Sequence, residues 1–304
     1  MRMRIGIFAG DVTGNGSVDA IISAAQVAAE QGFPSLWLPQ IFGADAITVA
    51  AVIGREVPGI ELGTAVVPTY PRHPMMLAQQ ALTANVITGG RFTLGIGLSH
   101  QIVIEQMFKQ SFDKPLRHMR EYLSVLRPLI HEKSVAFSGE TLGAQSQIDV
   151  PGAEPCPILI AALGPKMLEL AGQMAEGTIT WMTGPKTLAN HTIPTIAGSA
   201  EAAGRAKPRI VVGVPVCVTD DVEGVRARAA QALVAYGFLP SYRAMLDREG
   251  LEGPADFAVI GDEDTVRAGL KEYAAVGVDD LLAAELAVTS DERQRTRDLL
   301  RTLL

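Results

Sequence analysis

Two short loops hold the polar side chains that could do chemistry in this sequence. One carries Thr69, Tyr70, Arg72 and His73, and the other carries Ser99 and His100. Histidine titrates at about 6.5 when unperturbed, so His100 could give a proton to a reacting atom or cap a phosphate. A third feature is made of backbone. Gly164-Pro165-Lys166 follows an apolar run and opens a helix. Gly164 permits close approach, the helix N-terminus offers free N–H groups and partial positive charge, and Lys166 adds a cation. Such a turn could receive an anion, or could be a plain strand-to-helix turn.

The elements around these groups alternate. Leu62 to Val67 is a continuous apolar run, as a strand buried on both faces requires. Pro68, Pro71 and Pro74 break it into the first loop, and Pro74 stands as the first residue of a helix that Gly89-Gly90 ends. Phe92 to Ile96 is the next strand, and Gly97-Leu98-Ser99-His100 follows it. Both loops therefore leave the carboxyl ends of strands, where ligands bind in parallel sheets.

The same alternation runs through the chain. Strands are expected at Ile5–Ala9, Ser35–Pro39, Ile158–Ala162, Gly177–Trp181, Arg209–Thr219 and Asp280–Glu285. Helices are expected at Val18–Gln31 behind a Ser17 cap, Ala46–Arg55, Lys166–Ala175, Lys186–Gly204 and Val222–Tyr236. Others are expected at Asp262–Ala275 and Asp291–Leu304, with a long one from Pro115 to His131. Ser134–Pro157 reads as a hairpin and a connecting loop. Pro240–Gly250 reads as an extra helix, and the stretch from Pro240 to Gly261 as an insertion rather than a lid. Eight βα units in a 304-residue chain match a (β/α)8 barrel with insertions, forming one domain over 1–304. A doubly wound open sheet is the alternative. Gly10, Gly14 and Gly16 lack the GxGxxG spacing, and no GxxxxGK[ST] occurs.

Composition narrows the partners. Net charge is −7, from 26 basic and 33 acidic residues, and no basic run appears, which argues against nucleic acid. Two cysteines without a CxxC argue against a zinc site or a disulfide framework and for reduced, cytoplasmic thiols. The apolar run near the N-terminus is too short for a signal peptide, and no segment is long enough to span a membrane. The sequence carries no direct signal for oligomeric state; the homodimer expected here follows from the resemblance described next, and the apolar helices between residues 46 and 88 could supply its surface.

The block GTAVVPTYPRHPMMLAQQALTANVITGGRFTLGIGLSH resembles the luciferase-like flavin and deazaflavin oxidoreductases, and in particular the actinobacterial branch that uses coenzyme F420. Four further stretches match in order: EQGFPSLWLPQ, KPLRHMREYLSVLRPLI, PILIAALGPKMLELAGQMAEGTITWM and VIGDEDTVRAGLKEYAAVGVDDLL. The resemblance implies a luciferase-like (β/α)8 barrel with the cofactor at the carboxyl ends of the strands. It implies a cis peptide at Ala65-Val66 behind the cofactor ring. It places the phosphate at Ala161–Lys166, with Ala162, Leu163, Gly164 and Lys166 in contact. Gly97, Ser99 and His100 fall beside the ring and the upper phosphate arm, His100 being the candidate catalytic group. The sugar-phosphate dehydrogenases of this family carry an Asp-His pair after strand two. Here those positions are Gln40-Ile41, so that base is missing, and Gln40 can only hydrogen-bond the cofactor. The implied function is hydride transfer between reduced F420 and a small apolar or conjugated substrate. Trp37, Phe42, Phe108, Trp181 and Met182 are candidates for lining the pocket, and Arg72, Arg91 and Lys166 for holding the acidic tail. An FMN-dependent monooxygenase is the alternative cofactor reading, and a non-catalytic flavin or deazaflavin carrier is the third.

Overall fold

A computed structural model describes residues 3–9 and 16–304. The loop expected at Gly10–Gly16 falls, Gly16 apart, outside those residues. The first strands are β1 (Arg4–Phe8), β2 (Ser35–Leu38) and β3 (Glu61–Thr64). The run expected as one strand to Val67 is divided. The Ala65-Val66 peptide is cis, and the chain resumes as β4 (Val67–Pro68). Then come β5 (Phe92–Gly97), a projecting hairpin of β6 (Ser134–Ser138) and β7 (Gly143–Gln147), β8 (Ile158–Ala161), β9 (Gly177–Trp181), β10 (Arg209–Val218), β11 (Val259–Gly261) and β12 (Asp280–Glu285).

Parallel pairing runs β1, β2, β3, β5, β8, β9, β10, β12 and back to β1, which closes an eight-stranded barrel. The open-sheet alternative is thereby ruled out. β4 pairs with β5, and β11, a short strand unmarked by the sequence pattern, pairs with β10 outside the ring.

Helices cover the barrel: α1 (Val18–Glu30), α2 (Ala46–Glu56), α3 (Pro74–Ile87), α4 (Gln101–Gln106), α5 (Pro115–His131) and α6 (Pro165–Met174). Then follow α7 (Pro185–Thr187), α8 (Ile193–Ala202), α9 (Val222–Leu233), α10 (Pro240–Glu249), α11 (Glu263–Ala275) and α12 (Ser290–Arg301). Side chains of Ser17, Asp45, Asp221, Asp262 and Thr289 each accept a backbone N–H at a helix start, a contact that contributes about 1 kcal/mol. The helix expected over Lys186–Gly204 is interrupted by a π-helical segment, Leu188–Thr192. Pro194 has no N–H for the carbonyl four residues back, and widening the preceding turn accommodates its ring.

The two ends of the barrel differ. At the amino end, Arg209 grips Asp280 with two hydrogen bonds of 2.7 and 2.9 Å and reaches Glu61 at 2.8 Å, while Arg4 reaches Glu61 at 2.7 Å. The Arg209 guanidinium lies 5.5 Å from the centre of the Trp37 ring, which is fully buried inside the barrel with Leu159, Ile179, Val211 and Leu282. Gly63 makes room for that ring, since a Cβ there would meet it at 2.3 Å. Burial would raise the Glu61 carboxyl, but Arg209 and Arg4 outweigh it and hold it below its usual range. This end is sealed. At the carboxyl end the inward positions shrink to Ala65, Gly97 and Ala161, and the partial exposure of Ala65, Val66 and Ala161 leaves a shallow recess above them.

Candidate active site at the carboxyl end of the barrel

The floor of the recess is built from small residues. A Cβ on Gly97 would meet Val66 Cγ2 at 2.7 Å and Ala161 Cβ at 3.1 Å, so three strand ends touch there. Ala65 and Val66 are half-buried and pack on the interior cluster. Phe8 stacks on Trp181 at 5.3 Å and 26° as one side of the recess. The Trp181 Nε1–H is buried and has no acceptor among the described residues.

Ser99 sits in the left-handed region at φ 62°, and His100 follows as the cap of α4 with no side-chain hydrogen bond to that helix. The His100 ring packs beside Tyr242 at 5.9 Å and Tyr236 at 6.5 Å. Desolvation lowers its pKa, so it stands neutral at pH 7 and is suited to hydrogen bonding rather than to giving up a proton as an imidazolium. Gln40 lies half-buried after β2. Its Oε1 accepts the Ala46 N–H at 2.8 Å at the start of α2, which leaves the amide N–H groups as its remaining contribution.

The turn after β8 is open. Ala162 is buried, Leu163 half-buried, and Gly164 and Lys166 exposed. Gly164 caps α6 with no side chain on its N-terminus, and a Cβ on it would meet nothing within 4 Å. His191, in the π-helical segment, donates from Nε2 to the Leu163 carbonyl at 2.9 Å and fixes the turn from behind. Lys166 makes no ion pair among the described residues, so its charge remains available. Here the chain repeats itself, a point not visible when each turn is read alone: Gly184-Pro185-Lys186 opens α7 after β9. That second turn is filled. The Glu249 carboxylate accepts from Lys186 N at 3.0 Å, Thr187 N at 2.8 Å and Thr187 Oγ1 at 2.5 Å. Of the two turns, only the first has no side chain bound at its helix N-terminus.

Other expected site groups are placed elsewhere. Arg91 precedes β5, at the sealed end, and donates to the carbonyls of Gly54 and Ile60. It cannot hold a tail at the mouth. Arg72 is paired with Asp45 at 2.5 Å, and His73 accepts the Met75 N–H at the start of α3. Trp37 belongs to the barrel interior, and Met182, 2% exposed, to a second core. Phe42 and Phe108 are exposed. Of the five candidates for lining the pocket, Trp181 borders the recess. His118, unmarked by any local sequence signal, is buried, stacked on Tyr70 at 3.9 Å and shares a 3.0 Å hydrogen bond with Thr69 Oγ1. Burial pushes His118 down to about 4, so it is neutral and supports the loop after β4.

A (β/α)8 barrel with a floor of small residues at its carboxyl end and an open helix N-terminus beside it is the frame for comparison with known proteins. The 5,10-methylenetetrahydromethanopterin reductase of Methanolobus tindarius is 30% identical over 239 residues, which cover 78% of this chain and 72% of the relative. Among solved structures, the coenzyme F420-dependent tetrahydromethanopterin reductase of Methanopyrus kandleri superposes with a TM-score of 0.82. It is 19% identical, over 100% of this chain and 99% of that one. A type II Baeyer-Villiger monooxygenase of Pseudomonas putida in complex with FMN superposes at 0.74, with 17% identity over 99% and 96%. The sequence pattern described as luciferase-like monooxygenase matches residues 3–280. The chain belongs to the luciferase-like monooxygenase family.

Proposed function

We propose that this protein is an F420-dependent oxidoreductase that moves a hydride between the reduced deazaflavin and a small apolar or conjugated organic molecule. The observation that carries the reading is the free N-terminus of α6. It lies at the end of a strand whose neighbour contributes the small-residue floor, while the like turn at α7 is already taken by Glu249. The F420-dependent chemistry of the structural relative from Methanopyrus supports the choice of cofactor.

The residues present fit the group. The backbone N–H groups of the Leu163–Lys166 turn and the Lys166 ammonium would hold its phosphate. Ala65, Val66 and Gly97 would support its ring, and Ser99 and the Gln40 amide would donate to its polar edge. When bound, the deazaflavin supplies the hydride-carrying carbon. The protein contributes position and dryness: Phe8 and Trp181 keep water from one side, and His100, held neutral by burial, offers a hydrogen bond at the other. The same turn would accept the phosphate of FMN, the cofactor of the Pseudomonas structure. Fluorescence titration with the two cofactors separates these readings. The proposal expects tight, saturable binding of F420, and tight FMN binding with none of F420 overturns it. A homodimer through the outer face of α3, where Met76, Val86 and Ile87 are exposed, is part of the same reading. Sedimentation equilibrium tests it.

A further inference from the structure

The chain between β10 and β11 does more than connect them. After α9 it makes a 3-10 turn (Val234–Phe238), α10 and a second 3-10 turn (Pro254–Phe257). Its underside is a core of its own, in which Leu233, Met245, Leu246 and Phe257 meet Met182 and Cys217 from the ends of β9 and β10. Its far end is clamped. Glu249, the last residue of α10, is the carboxylate that fills the N-terminus of α7.

Held in this way, the insertion presents two tyrosines to the mouth of the barrel. Tyr236 and Tyr242 meet edge to face at 4.9 Å and 83°. Tyr242 lies 5.9 Å from the His100 ring, and Tyr236 lies 6.5 Å from Trp181. Trp181 in turn stacks on Phe8, so an aromatic arc runs along the recess. Burial raises both phenols, Tyr242 more strongly, so both keep their protons and can act only as neutral donors or acceptors. Tyr236 lies beside the Trp181 indole, and its phenol oxygen faces the buried indole N–H without a well-formed hydrogen bond between them. Two phenols and one indole N–H thus belong to one aromatic cluster at the carboxyl end, with rings meeting at steep angles.

We infer that Tyr236 and Tyr242 form the substrate-recognition wall, that Glu249 positions it, and that the wall selects flat conjugated molecules bearing a carbonyl oxygen. Ring edges take the flat face, because aromatic pairs favour edge-to-face and offset contact. The phenol and indole donors take the oxygen. An oxygen-free ring system of the same shape satisfies the first demand and offers these donors no acceptor, so it binds more weakly. The inference rests on the cofactor reading above, because it assigns the space beside the proposed deazaflavin to the acceptor.

The test uses the protein loaded with oxidised F420, so that no turnover occurs, with 2-methyl-1,4-naphthoquinone and 2-methylnaphthalene as probes. The two share a carbon skeleton and differ in the carbonyl oxygens. Equilibrium dialysis should show the quinone bound roughly tenfold or more tighter, the size of one well-made hydrogen bond. In Y236F/Y242F the quinone should fall to the level of the hydrocarbon, with hydrocarbon binding and F420 affinity unchanged. E249A should weaken both probes and speed hydrogen exchange over residues 234–251, whereas E249Q, which keeps an oxygen for the α7 N–H groups, should restore most of the binding. An unchanged quinone-to-hydrocarbon ratio in Y236F/Y242F overturns the inference. So does a loss of F420 affinity as large as the loss of quinone affinity, because the wall would then belong to the cofactor. Failure of wild-type protein to bind F420 strikes instead at the cofactor reading.

Discussion

Leu163-Gly164-Pro165-Lys166 and Thr183-Gly184-Pro185-Lys186 are nearly the same turn, each joining a barrel strand to a helix. They differ in what meets the helix N-terminus. At the second, Glu249 supplies the anion from within the chain, and a Cβ on Gly184 would strike that carboxylate at 2.3 Å. At the first, no side chain approaches, and a Cβ on Gly164 would point into open space. The contrast teaches that a glycine at a helix start carries no functional meaning by itself. Its meaning depends on whether the fold brings the chain's own carboxylate to it.

Four changes would break or sharpen that contrast. The largest effect is expected from Gly164→Leu. The backbone at φ −80° tolerates a side chain, so thermal stability should hold. Loss of one or more charge-assisted contacts to a phosphate should weaken F420 binding by roughly tenfold to a hundredfold. A fluorescence titration that finds the affinity unchanged removes the phosphate from this turn. Glu249→Ala comes next. It leaves the start of α7 without its acceptor and should lower stability by about 1–3 kcal/mol in chemical denaturation. It should also let inorganic phosphate raise the melting temperature, an effect absent from the parent protein at that turn. If phosphate gives no such gain, the two turns are less alike than their sequences.

A smaller effect is expected from His191→Ala, which frees the Leu163 carbonyl. F420 affinity should drop about fivefold to tenfold, the worth of one hydrogen bond, and His191→Gln should recover part of it. Equal loss in both variants would make His191 a packing residue only. Lys166→Ala is the mildest. An exposed charge near a helix end contributes about 0.3–1 kcal/mol, so binding should weaken by a few fold at low salt and by less as salt is added. A loss that does not depend on salt would mean that Lys166 acts through contact rather than charge.

The sequence was informative where structure is local. The βα alternation, the Ser17 cap and the Gly89-Gly90 stop depend on neighbours a few residues apart and sit where expected, whereas the helix expected to run to Tyr236 ends at Leu233 and tightens into a 3-10 turn. The cis peptide at Ala65-Val66 was reached through resemblance rather than residue chemistry, since neither side chain advertises it. Long-range partners were beyond reach. Glu249 lies 62 and 63 residues from the N–H groups it fills, and Arg209 lies 148 from Glu61. Nothing local marked Arg91 as belonging to the sealed end. Of five tyrosines in the chain, two fall within Tyr236–Tyr242, in the segment that meets His100 and Trp181.

The ionic plug at the amino end has a consequence for the molecule as a proton acceptor. Glu61 is held below the ordinary carboxyl value of 4.5 because Arg209 and Arg4 outweigh the cost of its burial. Above that value both folded and unfolded chains carry the charge, and the plug contributes its full stability. As pH falls below 4.5 the unfolded chain takes up a proton that the barrel still refuses, and free energy passes to the unfolded state until Glu61 itself titrates. The same groups that stopper the barrel thus set a floor on the acidity it withstands, at the end opposite the one proposed for its chemistry.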